Sequence, residues 1–230
     1  MGRAKQIRVK VIPSKIANDF VKKHHYSGKV VPNSKLHFGC FLDGKLHGVM
    51  SYGSPINKKG SINLVKNTGW NEMMELNRMA FDDYLPKYSE SRCIAISIKL
   101  IKKNAPQIKW ILSFSDGTQC GDGTIYRASG FKLVGIAKNA GICKLNGEVS
   151  HIKKTYDLGL TSSFLKKSDI PKLEKKGYKV EMLEGHQLKY IYLIDKSCKI
   201  TVPILPFSKI DEIGAGMYKG EKITLAERQK

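Results

Sequence analysis

The sequence predicts an α/β fold in which strands and helices alternate along one domain. Segments with the apolar–polar alternation of strands take turns with segments that have the apolar spacing of amphipathic helices. A chain of 230 residues can bury one good core, so a single domain covering residues 1–230 is expected. The stretch 138–187 is polar, rich in lysine and punctuated by glycine, which predicts a basic insertion before the C-terminal strands.

Turn and cap residues define the elements. Apolar residues alternate through 7–11 and stop at Pro13, after which Ser14 can cap a helix. The stretch 37–53 predicts a hairpin, because an Asp-Gly turn lies between two apolar arms. The further predicted elements are a strand at 73–81, a helix from Ser89 or Ser91 to just before Pro106, a strand at 108–114, a short helix around Tyr126, a small helix around Lys172, and strands at 131–137, 189–194 and 200–207.

Charge is the strongest signal in the composition. Forty Lys and Arg against twenty Asp and Glu give a formal net charge of +20. The first 36 residues contain nine Lys or Arg and one acid, Asp19, so this segment alone carries +8. A field of this size attracts polyanions, and nucleic acid is the commonest of them. The alternative is a basic protein whose lysines serve only solubility.

Several standard chemistries are absent from the sequence. The five cysteines lie far apart and form no C-x-x-C pair, so free thiols are expected and no metal site is predicted. The glycine-rich stretch 117–126 lacks the lysine of a phosphate-binding P-loop, and the zinc deaminase signature is missing. No apolar run has the length of a membrane span and the chain starts without a signal peptide, which favours a cytoplasmic protein with no membrane partner.

A buried strand opens into an unusual loop within residues 113–131, whose sequence is SFSDGTQCGDGTIYRASGF. Four glycines, two aspartates, a thiol, a phenol and a guanidinium follow or end the strand. A strand end without a neighbour leaves backbone groups that bind a ligand or must be satisfied in another way. The side chains around this opening are therefore predicted to be reagents rather than core.

The order of elements resembles the GNAT-like acetyltransferase fold, in which two central parallel strands of a mixed twisted sheet splay apart between flanking helices. From about Lys23 to Gly220, the chain resembles the Mom proteins of Mu-like phages in several longer sequence segments. Among them are HHYSGKVVPNSKLHFG, MELNRMAF, SFSDGTQCGDGTIYRASGF, TVPILPF and GAGMYKG. This resemblance implies an enzyme that converts adenine in DNA to N6-carbamoylmethyladenine and thereby protects phage DNA from restriction. It also implies action in the cytoplasm of the host bacterium.

The resemblance and the residue chemistry together suggest site residues. Tyr126 stands where GNAT enzymes often keep a proton donor for the leaving group, the alternative being an aromatic ring packed under the sheet. Asp116 can accept a proton from the amine or orient the base, the alternative being a turn-forming aspartate. The predicted catalytic residues are Asp116, Tyr126, Tyr26 and His25. The predicted substrate-binding or DNA-binding residues are Ser27, Arg78, Glu75, Asn77 and Arg127.

Strand alternation predicts Glu75 and Asn77 on one face of 73–81 and Arg78 on the opposite face, where a guanidinium needs an anionic or polar partner. Three residues, Ser89, Ser91 and Arg92, stand where GNAT enzymes hold a pyrophosphate at a helix N-terminus. The usual glycines are replaced there by KYSESRCIA.

The donor is consequently unknown, with acetyl-CoA, an aminoacyl-tRNA and a glycine-derived donor all open. Two other functions also remain open. One is a conventional GNAT N-acetyltransferase that uses acetyl-CoA on a protein or small-molecule amine, and the other is a non-enzymatic basic DNA-binding protein.

Overall fold

A computed structural model describes residues 2–139, 142–151, 170–218, 221–223 and 227. The strands are β1 Arg8–Val11, β2 Ser34–Leu42, β3 Lys45–Gly53, β4 Met73–Phe81, β5 Trp110–Asp116, β6 Lys132–Lys138, β7 Ile142–Leu145, β8 Glu148–His151, β9 Val180–Met182, β10 His186–Leu193, β11 Met217–Tyr218 and β12 Glu221–Lys222. The α-helices are α1 Ser14–His24, α2 Ser89–Asn104, α3 Thr124–Ala128, α4 Ile170–Lys175 and α5 Ser208–Glu212.

The contacts group the chain into two compact units. The first contains the described parts of 1–115, 123–135 and 189–209, and the second contains the described parts of 116–122, 136–188 and 210–230. A single domain with an insertion at 138–187 stays a prediction, and residues 152–169 of that stretch lie outside the described residues.

The first unit is built on a seven-stranded sheet with the order β1-β2-β3-β4-β5-β10-β6. Strands β1 to β4 form an antiparallel meander, whereas β4 and β5 are parallel, so the sheet is mixed. The parallel pairing runs only from Met73 opposite Trp110 to Leu76 opposite Ser113. Both strands continue beyond this point without pairing to each other, so the predicted splay between two central parallel strands is confirmed.

A bulge interrupts β4 at Asn77. The register pairs Ser51 of β3 with Arg78 and Gly53 with Glu75, so a step of two residues on β3 matches a step of three on β4. The extra residue shifts the alternation of the strand beyond it. Glu75 and Arg78 consequently lie on the same face of β4, and the prediction that Arg78 points to the face opposite Glu75 is wrong.

The helices α1 and α2 cover opposite faces of the sheet. On one face, Val49 of β3 and Ala80 of β4 belong to an apolar cluster that includes residues of α1. On the other face, the neighbouring Met50 contacts Ser97 of α2. Alternation along β3 therefore puts Ser51 on the α1 face, together with its partner Arg78.

The second unit contains two small antiparallel sheets. The first has the order β8-β7-β9, and its cluster of apolar residues is centred on the buried Cys143 and Leu173. Leu173 belongs to α4, which is the small helix predicted around Lys172. The second small sheet pairs β11 with β12.

Most predicted elements are present, with two differences. The predicted hairpin is β2–β3, and both turn residues, Asp43 and Gly44, have positive φ as a tight hairpin turn requires. Ser14 is the first helical residue rather than the cap, because Pro13 occupies the cap position and no side chain caps the helix. The strand predicted at 200–207 is absent, since Ile200 forms only an isolated bridge and the two prolines of this stretch cannot donate to a ladder.

Candidate active site

The chain leaves α1 in an ordered turn that we call the α1–β2 segment, residues 25–33. The backbone N–H of His25 donates to the carbonyl of Val21 at 2.9 Å, and Gly28 then turns the chain with a φ of +58°. The Nδ1 atom of His25 lies 2.8 Å from Ser27 Oγ and accepts a hydrogen bond from the backbone N–H of Ser27 at 3.1 Å. Both contacts fix the imidazole at the start of the segment.

The charge state of His25 follows from its surroundings. Burial and the nearby Arg78 cation lower the pKa of His25 to about 4. The ring is therefore neutral at physiological pH. Because Nδ1 accepts the hydrogen bond from the Ser27 backbone, the single ring proton resides on Nε2. His25 thus presents a hydrogen-bond donor, and not a proton acceptor, at its far nitrogen.

Glu75 and Arg78 bring two opposite charges to the α1 face of β4. Burial raises the pKa of Glu75, while the nearby Asn77 amide and the Arg78 cation lower it. Burial also lowers the pKa of Arg78, and Tyr26, Glu75 and Tyr126 oppose that shift. No ion pair within 4.0 Å joins the two charged groups in the described structure, so neither charge is fully neutralised by the other.

Two hydrogen bonds to the backbone hold Arg78. Its Nε donates to the carbonyl of Lys29 at 3.0 Å, and one of its terminal nitrogens donates to the carbonyl of Asn77 at 2.9 Å. These bonds use only part of the five-donor guanidinium fork. Within the described structure, Arg78 is therefore a cation held in place by the backbone. Its remaining N–H groups can donate to an acceptor atom of a ligand.

Asn77, the extra residue of the bulge, has a side chain that is 7% exposed. Its Oδ1 accepts a hydrogen bond from Ser34 Oγ at 3.1 Å. Its Nδ2 is buried and has no well-formed hydrogen bond to a described residue, although the amide is close enough to the Glu75 carboxylate to lower the pKa of that acid. Gly53 permits this packing, because a Cβ there would lie 2.1 Å from the carbonyl oxygen of Asn33 and 2.8 Å from Asn77 Oδ1. A buried amide with an unused donor is a costly feature that a bound ligand would satisfy.

Tyr126 lies on α3 beside the point where β4 and β5 separate. Its ring is 7% exposed and packs against the rings of Phe131 and Tyr190. Its hydroxyl donates to the carbonyl of Phe114 over a long 3.5 Å. Phe114 immediately follows the last paired residue of β5. The ring therefore belongs to the core, as the packing alternative for Tyr126 expects, while its hydroxyl reaches the splay. The proton-donor role of that hydroxyl stays a prediction.

Asp116 organises the loop that follows β5. Its carboxylate accepts hydrogen bonds from the backbone N–H of Thr118 at 2.9 Å, from Gln119 Nε2 at 3.1 Å and from Asn139 Nδ2 at 3.3 Å. Its backbone carbonyl accepts from Cys120 and Gly121. These contacts match the turn-forming alternative for Asp116, and the catalytic alternative stays a prediction.

The start of α2 does not offer a phosphate cradle from its side chains. Ser89 is fully buried and its hydroxyl donates to the carbonyl of Pro86, while the hydroxyl of Ser91 donates to the carbonyl of Tyr88 at 3.2 Å. Arg92 donates to the carbonyl of Lys5 at 3.2 Å. All three residues predicted to bind donor phosphates are thus engaged with the protein backbone. These hydrogen bonds turn the two hydroxyls and one Arg92 nitrogen away from a donor pyrophosphate, and a donor-binding role for the three residues stays a prediction.

Arg127 is also engaged elsewhere, since its guanidinium lies 5.1 Å from the centre of the Phe207 ring. Within the described ranges, no group of three or more His, Cys, Asp or Glu side chains could hold a metal ion. None of the helices that the structure describes combines the length and apolar character needed to cross a membrane.

The structure brings together the following predicted residues of the first unit: His25, Tyr26, Ser27, Glu75, Asn77, Arg78 and Tyr126. Three further residues support the site and were missed: Lys29, Ser34 and Gly53. Lys29 acts through its carbonyl, for which residue type carries no signal. Gly53 offered a usable signal, because a glycine at the end of a strand often marks a close backbone approach.

The fold and this site define the class of the protein. A mixed sheet whose two central parallel strands separate, with polar side chains near the gap, is the GNAT-like architecture that the resemblance implied. The chain belongs to the Mom protein family, whose model matches residues 6–209. It is 36% identical over 149 residues to the methylcarbamoylase mom of Escherichia phage Mu, a match covering 64% of this chain and 61% of that protein.

Solved acetyltransferases overlay on the chain with low identity. An N-acetyltransferase from Staphylococcus aureus Mu50 covers 82% of this chain and 99% of its own, with a TM-score of 0.48 and 9% identity. The ribosomal-protein-S18-alanine N-acetyltransferase from Escherichia coli covers 82% and 94%, with a TM-score of 0.46 and 9% identity. The family assignment accordingly depends on the sequence match to the Mom family.

Proposed function

We propose that this protein is a DNA hypermodification enzyme that converts the N6 amine of adenine to N6-carbamoylmethyladenine and so protects phage DNA from host restriction. Membership of the Mom family over residues 6–209 is the observation that carries the proposal. The name of the phage Mu relative, a methylcarbamoylase, supports the type of group transferred. The net charge of +20 supports a polyanionic substrate met in the host cytoplasm.

The α1 face of β4 can carry the chemistry of the amine. When N6 attacks an electrophilic carbon of the donor, an N–C bond forms and an N–H bond breaks, so a base must take the proton. Glu75 suits this role, because burial raises its pKa and no ion pair holds its carboxylate among the described residues. Asp116, the other candidate, already accepts hydrogen bonds from Thr118, Gln119 and Asn139.

The neighbouring groups can bind the base and serve the leaving group. His25 and Arg78 both offer N–H donors, which suit the ring nitrogens of a purine. The buried Nδ2 of Asn77 is a further unused donor. The hydroxyl of Tyr126, whose hydrogen bond to Phe114 is long, can donate a proton to the leaving group of the donor.

The alternative of a conventional acetyltransferase is less well supported. That reaction uses acetyl-CoA, and the hydroxyls of Ser89 and Ser91 donate to backbone carbonyls at the start of α2 while Arg92 donates to the carbonyl of Lys5. The alternative of a passive DNA-binding protein explains the charge. It does not explain an acid with a raised pKa beside a cation with which it forms no ion pair in the described structure.

Mass spectrometry of nucleosides tests the proposal. DNA is taken from cells that express the protein and from cells that express a Glu75→Gln variant, and both samples are digested to nucleosides. A new, heavier deoxyadenosine carrying the carbamoylmethyl group is expected only with the wild-type protein. Unmodified deoxyadenosine in DNA, together with an N-acetylated protein or amine, would support the alternative. Plasmid from the same cells should resist restriction endonucleases whose sites contain the modified adenine.

A further inference from the structure

The stretch between Asp19 and Asp43 carries charge of one sign only. It contains no Asp or Glu and four lysines, namely Lys22, Lys23, Lys29 and Lys35. All four lysines are exposed. None forms an ion pair with a residue in the described part of the chain, so their positive charge is uncompensated. We call these four lysines the basic rim.

The basic rim is attached to the candidate active site through its backbone. The carbonyl of Lys29 accepts the hydrogen bond from Arg78 Nε at 3.0 Å. Ser34, which precedes Lys35, donates to Asn77 Oδ1 at 3.1 Å. These two bonds connect the middle of the α1–β2 segment and the first residue of β2 to Arg78 and Asn77 of β4. The backbone at Lys29 and next to Lys35 is therefore held beside the residues that would bind the base.

An exposed aromatic ring lies within the basic rim. Tyr26 stands between Lys23 and Lys29 in the sequence, is 48% exposed, and has its ring centre 4.3 Å from that of His25. Burial lowers the pKa of Arg78, and the charge interaction with Tyr26 partly offsets that shift. Aromatic rings flanked by cations are typical of nucleic-acid sites, where the ring stacks on a base and the cations contact phosphates.

We propose that the basic rim is the surface on which the phosphodiester backbone of double-stranded DNA docks, at the nucleotides that flank the target adenine. This inference rests on the proposed function, because it takes DNA as the substrate of the site. The lysine ammonium groups are compact charges that bind phosphates without reading base edges. The rim therefore supplies affinity and orientation, and it leaves sequence preference to other residues.

Part of the basic rim has an alternative structural role. Lys22 and Lys23 lie in the last turn of α1, where cations stabilise the helix dipole. The helix α2 supplies a matched control, because Lys102 and Lys103 lie in its last turn and Lys99 is exposed one turn earlier. The variants K22Q/K23Q/K29Q and K99Q/K102Q/K103Q each remove three positive charges, two of them from a helix C-terminus.

Fluorescence anisotropy of a labelled DNA duplex separates docking from general charge. The Kd of the full chain is measured over a series of salt concentrations for the wild type and both triple variants, with melting temperatures as a check of folding. The rim variant should raise Kd at least about 10-fold and reduce the slope of log K against log salt by about 2 to 3, because each lost phosphate contact lowers the slope by about one. The α2 variant should change Kd by less than about 3-fold.

Equal losses in the two triple variants would overturn the docking surface, as would a wild-type protein that does not bind the duplex at low salt. Competition with transfer RNA adds a third outcome: a rim variant that loses RNA binding but keeps duplex binding also overturns it. The failure of the proposed function is distinct. Rim-dependent DNA binding without modified adenine would reject the enzyme and keep the docking surface, whereas modified adenine with unchanged Kd in the rim variant would reject only the docking surface.

Discussion

The Nε atom of Arg78 donates a hydrogen bond to the backbone carbonyl of Lys29, with 3.0 Å between the two atoms. This bond joins the middle of β4 to the α1–β2 segment, although 49 residues separate the two in sequence. It fixes the guanidinium in place. Together with burial, this cation lowers the pKa of His25, and it opposes the rise that burial causes in the pKa of Glu75. One contact thus connects the acid–base properties of the candidate site to the basic rim.

Replacement of Glu75 by Gln should slow adenine modification by about 10²- to 10⁴-fold, the usual contribution of a positioned base. Because burial raises the pKa of Glu75, wild-type activity should rise with pH through a value above that of a free glutamate. Rates of modification on a duplex substrate at several pH values measure both effects. Glu181→Gln, at an exposed acid of β9, is the control. An E75Q variant with normal rates would exclude Glu75 as the base.

Replacement of Arg78 by Met should raise the pKa of His25 from about 4 towards that of a free histidine, because the cation helps to keep the ring neutral. A histidine whose folded-state pKa is lowered makes the fold lose stability as pH falls from about 6.5 to about 4, since the unfolded chain binds the proton first. In the variant, the loss of stability that comes from His25 should extend over a narrower pH range, because the folded-state and unfolded-state pKa values of His25 lie closer together. NMR titration of the His25 ring measures the shift, with Arg92→Met as control. An unchanged titration would contradict the assigned proximity.

The pair Tyr126→Phe and Asp116→Asn separates a reagent from a loop organiser. Tyr126→Phe should reduce modification by about 10²- to 10⁴-fold with little change in Tm, because the substitution keeps the ring that packs against Phe131 and Tyr190 and removes only the hydroxyl. Asp116→Asn should lower Tm, because it faces amide donors from Gln119 and Asn139 with an amide of its own. Thermal melting and modification rates of both variants provide the test. A fully active Y126F protein would remove Tyr126 from the chemistry.

Binding of a duplex with 2-aminopurine at the target position should increase its fluorescence, because chemistry on N6 in a closed pocket requires a flipped base. Tyr26→Ala should reduce the increase if the ring stacks on that base. Tyr88→Ala is the control, since Tyr88 is 80% exposed at the start of α2. No increase with the wild-type protein would argue against flipping, and equal effects of both substitutions would argue against stacking on Tyr26.

Gly53→Ala should lower stability by about 1–3 kcal/mol, as overpacking does, and should disturb the α1–β2 segment. A Cβ at this position would lie 2.1 Å from the backbone oxygen of Asn33. At Gly69 the nearest atom to an added Cβ is 3.6 Å away, so Gly69→Ala is a tolerated control. Chemical denaturation measures both. Equal stability of the two variants would show that the segment can move away from β3.

Local patterns in the sequence were sufficient for most of the fold. The Asp-Gly turn and the apolar arms beside it predicted β2–β3, and β4 has the predicted bounds 73–81. The bulge at Asn77 was not predictable, because an extra residue in a ladder is defined by the partner strand and leaves no mark in composition. The same limit explains why Glu75 and Arg78 were expected on opposite faces.

The candidate site was predicted only as a set of residue types. The segment HHYSG and the polar residues of β4 were each predicted to contribute to the site, and the structure places His25 close enough to Arg78 for the cation to lower the His25 pKa together with burial. The directions of the serine hydroxyls could not be predicted from the sequence. The hydroxyls of Ser89 and Ser91 donate to backbone carbonyls at the start of α2, and local backbone geometry rather than residue type determines this. The residue type of Asp116 likewise suits both a catalytic role and a turn-forming role, and its carboxylate accepts hydrogen bonds from Thr118 and Gln119 of its own loop and from Asn139.

The bulge at Asn77 also bears on how this protein can change in evolution. Loss of this one residue would restore a regular ladder and leave Glu75 and Arg78 two positions apart, so both would stay on the face that they now share. The deletion would instead remove the buried Asn77 side chain and the hydrogen bond that it accepts from Ser34. A single-codon deletion would therefore keep the acid–cation arrangement and change only the contact between β4 and the start of β2, so related chains should vary more readily in the length of β4 here than at Glu75 or Arg78.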